Sequence, residues 1–370
     1  MKKEYKNINI EIFLELVRSG LWGTEVRLTS NGEIDWLTLS QLAEKQSVVG
    51  LVTAGLGQVK DVKVPKEWSL RFIGNTLQIE LRNKEMNGFV ANLVADMRKT
   101  GISTLLVKGQ GLAQCYEKPL WRACGDVDLY LSKDNYQQAK EFLIPKASHV
   151  DGEDNKQMHQ GMTIDGWVVE LHGTMHGEIS RRMNKGLDEV HHAIFYDGSV
   201  RSWNNNGVQV FLPSADNDAI IVFTHFLQHF FVEGVGLRQI CDWCRLLWKY
   251  RDVIDVRLLE KRLDMMGLTS EWKVFGTLAV KMLGMPPEAM PLLGDNDSHN
   301  LSKKAKRVLK RVMKSGNFGH NNDLSYRSKY KGLTYKIVAA WRRFWDFASL
   351  VPVFPLDAPS FFITYMRGKI

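Results

Sequence analysis

Asp126 and Asp128 stand one residue apart in the run DVDLYL, residues 126–131, where polar and apolar side chains alternate strictly. A strand has period two, so Asp126, Asp128 and Tyr130 share one face while Val127, Leu129 and Leu131 share the other. Carboxylates held side by side repel each other unless solvent or a cation lies between them. Hard divalent cations are the natural guest, and Mg²⁺ favours a couple of carboxylates completed by substrate phosphate. A third acid fits the same geometry. Glu170 shares a face with Val168 and His172, opposite Trp167, Val169 and Leu171. If its strand lies beside residues 126–131, three carboxylates converge, which is what two-metal phosphoryl or nucleotidyl transfer needs. Upstream, Lys108-Gly109-Gln110-Gly111 forms a glycine turn between an apolar run and a helical stretch. Backbone N–H groups exposed at such a helix N-terminus can hold phosphate.

These residues need elements to position them. Residues 103–108 (STLLVK), bounded by Gly101 and Gly109, read as a buried strand. Residues 111–116 read as helix, 126–131 as strand, 135–143 as helix, 162–172 as one further alternating strand and 208–212 as a last short one. Strand and helix in alternation make a small α/β unit over residues 101–212. Residues 1–100 read as an N-terminal helical region, with Ile10, Phe13, Leu14 and Val17 at helical spacing and a proline-free stretch over 68–99 that reads as one long helix or two abutting ones. Helical periodicity returns from Ser214, with Ser214 or Asp216 as N-cap, through a helical domain over 213–300. The fold class expected is α+β: a small mixed-sheet core flanked by N- and C-terminal helical regions.

Composition limits the alternatives. At 370 residues the chain is long for one ordinary domain, and 44% hydrophobic with 24% charged residues excludes general disorder. Four cysteines cannot frame a disulfide scaffold and fit a reducing compartment. The acids at 11 and 15 interrupt any signal-like apolar run, and residues 219–235 carry His225, Gln228, His229 and Glu233, so they read as a buried helix. A cytoplasmic protein is expected. The formal net charge of +8 is uneven: residues 303–343 hold thirteen Lys or Arg against one acid, leaving the remainder mildly acidic. The C-terminal extension over 301–370 mixes this charge with Phe318, Tyr326, Tyr330, Tyr335, Trp341, Phe344 and Trp345. It reads as a lysine-rich helix at 302–314, a loop at 316–323, a helix at 333–350 and a proline-punctuated, irregular end. A solvated face is the simpler reading of the segment; contact with nucleic acid or an anionic membrane is the functional one.

Residues 105–131, LLVKGQGLAQCYEKPLWRACGDVDLYL, with VVELH about forty residues on, resemble the uncharacterised bacterial nucleotidyltransferase family of the DNA polymerase β superfamily. The matching residues are Lys108 and Gly109, Arg122, Asp126 and Asp128, then Glu170 and His172, and the resemblance extends over residues 36–247. It implies transfer of a nucleoside monophosphate from an NTP, with ATP the expected donor, to a hydroxyl of a small molecule, protein or RNA. It implies two Mg²⁺ ions on Asp126, Asp128 and Glu170, with Glu170 also helping to deprotonate the acceptor. Lys108, Gly109, Gln110, Arg122 and His172 would serve the nucleotide, His172 either by orienting Glu170 or by binding phosphate. The chain departs from the wider superfamily at Gln110, where serine or glycine is usual.

Other constellations have simpler explanations. His225 and His229 lie four apart on an apolar helix without the glutamate of a metalloprotease motif, and read as core or pocket lining. His159 lies in a polar loop and reads as exposed, with approach to the site as the alternative. Cys241 and Cys244 read as buried thiols. Arg238 and Asp242 are spaced for an intrahelical ion pair, whereas the resemblance offers them an acceptor-pocket role. The rival to catalysis is a binding protein with a degenerate transferase fold.

Overall fold

The computed structural model describes residues 2–28, 34–294, 299–316, 329 and 331–369. The expected loop at 316–323 beyond Gly316, together with Phe318, Tyr326 and Tyr330, lies outside the described residues.

Four helices come first: α1 (Lys2–Trp22), α2 (Trp36–Lys45), α3 (Val49–Leu56) and α4 (Lys66–Lys99). At 34 residues α4 extends about 50 Å. A seven-stranded mixed sheet follows, made of β1 (Leu105–Val107), β2 (Asp126–Tyr130), β3 (His149–Val150), β4 (His159–Ile164), β5 (Trp167–His172), β6 (Val200–Asn205) and β7 (Val208–Pro213). Its spatial order is β3-β4-β5-β2-β1-β7-β6. Between the strands lie α5 (Gly109–Ala113), α6 (Lys133–Leu143) and α7 (Arg181–Phe195). The C-terminal part is helical: α8 (Ala215–Val232), α9 (Leu237–Lys249), α10 (Val256–Met266), α11 (Thr269–Leu283), α12 (His299–Ser315), α13 (Gly332–Ala348) and α14 (Asp357–Lys369). The fold is α+β, a mixed sheet with helices flanking it on both sides in sequence.

Local chemistry explains the sheet. The stretch expected as one strand over 162–172 is a hairpin, β4 and β5, closed by Asp165-Gly166 with φ of +50° and +79°. Asn206-Gly207, with φ of +52° and +82°, turns β6 into β7 in the same way. Both are two-residue turns whose twist suits antiparallel strands, and both need left-handed backbone that Asn, Asp and Gly tolerate. β2 runs parallel to β5 in a register that sets Asp128 opposite Glu170. It runs antiparallel to β1 with Val107 opposite Asp128.

The sheet buries one face against α4 and α6. Val127, Leu129, Leu131, Val169 and Leu171 join Met86, Val90, Val94 and Met97 of α4 and Tyr136, Ala139 and Leu143 of α6 in one apolar cluster. That burial dictates orientation: with the odd-numbered residues of β2 and β5 in the core, Asp126, Asp128, Glu170 and His172 must emerge on the other face. On that side the main apolar core runs from α1 through α8, α9 and α11 to α14, centred on Phe223, Phe226, Trp243, Trp272 and Phe275. Ser214 caps α8 by accepting from Asn217 N. The C-terminal end expected to be irregular forms α14 instead: Pro359 sits in the first helical turn, where a missing N–H costs nothing.

Candidate active site

The site forms where the N-terminal end of β2, the β1–α5 turn and β5 meet helices α8 and α9. Carboxylate oxygens of Asp126, Asp128 and Glu170 all lie within 4.8 Å of one another. They open onto a cleft of about 370 Å³ lined also by Lys108, Gly109, Arg122, Phe226, His225, His229, Glu233, Arg238 and Asp242. That volume is at the lower end of the roughly 300–1,000 Å³ common for small-molecule sites.

Cationic partners hold the acids in place. Lys108 Nζ lies 2.8 Å from Asp128 Oδ1, and His172 Nε2 donates to the same oxygen at 2.9 Å. His172 also lies 3.5 Å from Glu170 Oε2, and His159 Nε2 donates to that oxygen at 3.3 Å. The imidazoles of His159 and His172 lie with centroids 4.8 Å apart, their planes tilted by 39°. His172 therefore bridges two carboxylates. His159, expected to be exposed, begins β4 beside Glu170, because the β4–β5 register sets it directly opposite His172.

The acidities follow from these contacts. Asp126 is raised above the ordinary aspartate value, first by the charge of Asp128 and then by burial. Burial works against ionisation of Asp128, but Lys108 and His172 outweigh it and hold Asp128 low. Burial likewise opposes Glu170, yet His159 and His172 pull its carboxyl far below the usual range. A carboxylate held so low is a weak base, and its strength is as a fixed anionic ligand. Burial opposes the charge of Lys108 and the surrounding acids more than restore it. His225 is pushed well below the usual histidine value by burial and by Lys108, so it lines the cleft as a neutral ring.

The β1–α5 turn is backbone-strained. Lys108 has φ +56° and ψ −138°, a region glycine favours, and Gly109 follows at φ +34°. A Cβ on Gly109 would lie 3.3 Å from Cys124 Sγ and 3.4 Å from Asp126 O, so the turn packs closely against the acidic strand.

Two residues expected to serve the nucleotide are engaged by protein partners. The Gln110 side chain is buried away from the cleft, where its Nε2 donates to Asn83 Oδ1 at 2.8 Å and approaches Met86 Sδ at 3.3 Å. The first turn of α5 directs it against α4, where its side-chain amide is engaged with Asn83. Arg122 is committed to Asp242: Nε donates to Oδ1 at 3.0 Å and Nη2 to Oδ2 at 2.6 Å. This bidentate pair is buried, and Tyr116 completes it by donating to Asp242 Oδ1 at 2.7 Å. The guanidinium borders the cleft, but its charge is matched by Asp242.

Arg238 stands where Arg122 was expected. Asp242 takes Arg122 rather than its helical neighbour, and Arg238 Nη1 donates to Ala123 O at 2.8 Å, bringing its guanidinium to the cleft wall. Its Nε is buried without a hydrogen-bond partner among the described residues. Burial first, then the nearby Arg122, lower its affinity for a proton, as befits a cation that an anionic ligand would relieve. The i, i+4 spacing of Arg238 and Asp242 concealed this role.

The donor set fits a hard divalent cation. Three carboxylates from two adjacent strands crowd one spot, and the charge of Asp128 that raises Asp126 is what such a cation would offset. His159, Glu170 and His172 also gather within the same distance, but each imidazole there already donates to an acid.

A mixed sheet carries an acidic cluster beside Lys108 and Arg238 at one cleft of an α+β protein. The chain belongs to a nucleotidyltransferase family: the family described as uncharacterised nucleotidyltransferase matches residues 32–284, from just before α2 to the end of α11. No curated protein and no solved structure matches the chain.

Proposed function

We propose that the protein transfers a nucleoside monophosphate from an NTP to a hydroxyl, using Mg²⁺ held by Asp126, Asp128 and Glu170. The observation that carries this reading is the convergence of those three carboxylates beside Lys108 and Arg238 in one cleft. Bound there, Mg²⁺ would neutralise phosphate charge and acidify the attacking hydroxyl. The chain supplies the remainder. Glu170, clamped by His159 and His172, is a fixed ligand rather than the base first expected of it. Lys108 is close enough to the acids to accompany the phosphates that the bound Mg²⁺ would attract, and Arg238 offers a charge that no carboxylate among the described residues has claimed. Phe226 and the neutral His225 give the opposite wall a less polar surface, suited to excluding water from the acceptor side.

The test is release of pyrophosphate from each of the four NTPs with Mg²⁺ and a panel of hydroxyl acceptors. The proposal expects Mg²⁺-dependent release with at least one acceptor and its loss in Asp126→Asn. Turnover that survives Asp126→Asn, Asp128→Asn and Glu170→Gln overturns it.

A further inference from the structure

The solvent face of α13 is apolar where a surface helix is normally polar. Ile337, Trp341 and Trp345 are 60%, 61% and 56% exposed, and their four-residue spacing puts them in one stripe. Phe344 joins them: its ring centroid lies 5.9 Å from that of Trp341, 5.5 Å from Trp345 and 5.7 Å from Phe362 of α14. The same region exposes Leu356, at 81%, and Ile363. Scattered apolar residues on a surface are ordinary; a contiguous aromatic cluster marks a contact.

The surroundings are cationic. Lys336 and Arg342 stand on α13, where Arg343 lies 3.7 Å from the acid Asp346, and the exposed face of α12 carries Lys303, Lys306, Arg307, Lys310 and Lys314. The two surfaces adjoin. Arg311 Nη1 donates to Ser349 Oγ at 2.9 Å and Arg307 Nη1 to Pro352 O at 3.3 Å, fixing α12 along the end of α13.

We propose that α12 and α13 dock the protein peripherally on an anionic lipid bilayer, with Ile337, Trp341 and Trp345 in the interfacial zone and the α12 lysines against the headgroups. Tryptophan favours that zone because its ring is apolar and its N–H is polar, and flanking lysines add attraction to anionic lipid. No helix among the described residues is long and apolar enough to cross a membrane, so the contact rests on this surface. Nucleic acid would share the preference for cations. It has no use for Ile337, Leu356 and Ile363, however, and Trp341 meets Trp345 edge-to-face at 84°, engaging the rings with each other rather than splaying them for bases.

Flotation of the full chain with phosphatidylcholine vesicles, with and without phosphatidylglycerol, tests the proposal. The protein should float with the anionic vesicles and not with the neutral ones, less so at high salt. Trp341→Ser combined with Trp345→Ser should reduce the bound fraction about tenfold, and Lys306→Glu with Lys310→Glu should do likewise, both with unchanged thermal unfolding. Equal flotation of the tryptophan variant overturns the proposal. So does absence of flotation, whether the tryptophans then prove to be needed for binding poly(U) RNA or for self-association.

Discussion

Lys108 Nζ sits 2.8 Å from Asp128 Oδ1, reached from a backbone at φ +56° and ψ −138° that a lysine adopts only under strain. Such a residue costs about 1–3 kcal/mol and persists where the surroundings hold it. Here the ammonium lies over the acid pair, close to where a divalent cation would be held. Replacing it with Lys108→Met should therefore have opposite effects on two readouts. Affinity for Mg²⁺ alone, followed by the rise in melting temperature on titration, should increase because a competing cation is gone. Nucleotide turnover should fall by about tenfold or more, because a charge beside the phosphates is lost.

The acid cluster stores repulsion, and Asp126 carries much of it. Its carboxyl is raised by Asp128 first and by burial second, so ionising it destabilises the folded chain, and the penalty grows as pH rises from the ordinary aspartate value through the raised one. Asp126→Asn should then melt at or above the wild-type temperature in EDTA at neutral pH. The increase that Mg²⁺ confers on the wild type should be absent from the variant. Differential scanning calorimetry with and without Mg²⁺ separates the two effects.

The two cleft arginines should fail in different ways. Arg122 and Asp242 are a buried bidentate pair, and removing one partner leaves an unmatched buried charge. Arg122→Met should cost about 3–5 kcal/mol of stability, read by urea unfolding. Arg238 has no such carboxylate partner at hydrogen-bond distance among the described residues, so Arg238→Met should unfold near the wild-type midpoint while weakening NTP binding about ten- to hundredfold. Equal destabilisation by both substitutions would contradict the division of roles.

Glu271 ties pH to the packing of the C-terminal helices. It is fully buried on α11, and burial, with the charge of Asp357 at the start of α14, raises its pKa to about 8. Ser270 Oγ links the two acids, at 2.9 Å from Glu271 Oε2 and 3.2 Å from Asp357 Oδ2. A carboxyl raised on folding supports the native state fully below its unfolded value, and that support is lost as pH climbs through the folded one. Stability should thus fall between pH 5 and 8 by up to about 4 kcal/mol from this group. Glu271→Gln should flatten that slope in urea titrations at several pH values.

Local periodicity made part of this legible in the sequence. Strict alternation over residues 126–131 fixes which side chains share a face, and the structure puts Val127, Leu129 and Leu131 in the core. The hairpins were less legible because a two-residue turn interrupts an apparently continuous pattern. Asp165-Gly166 and Asn206-Gly207 were the available signals, and the latter would have revealed β6. Side-chain destinations set by distant residues left no trace. Arg122 meets Asp242 across 120 positions, Gln110 meets Asn83 across 27, and nothing in the spacing of Arg238 announces that its helical partner is already taken. His159 was read from its polar neighbours, whereas its place beside Glu170 depends on the hairpin register.

Mn²⁺ binding followed by electron paramagnetic resonance, with a non-hydrolysable NTP present, tests the carboxylate cluster most directly, because it needs no knowledge of the acceptor. Wild-type protein should sequester Mn²⁺ in a nucleotide-dependent manner, and Asp126→Asn and Glu170→Gln, each folded, should lose it. Undiminished Mn²⁺ binding in those variants, or none in the wild type, would contradict a divalent site built from these three acids.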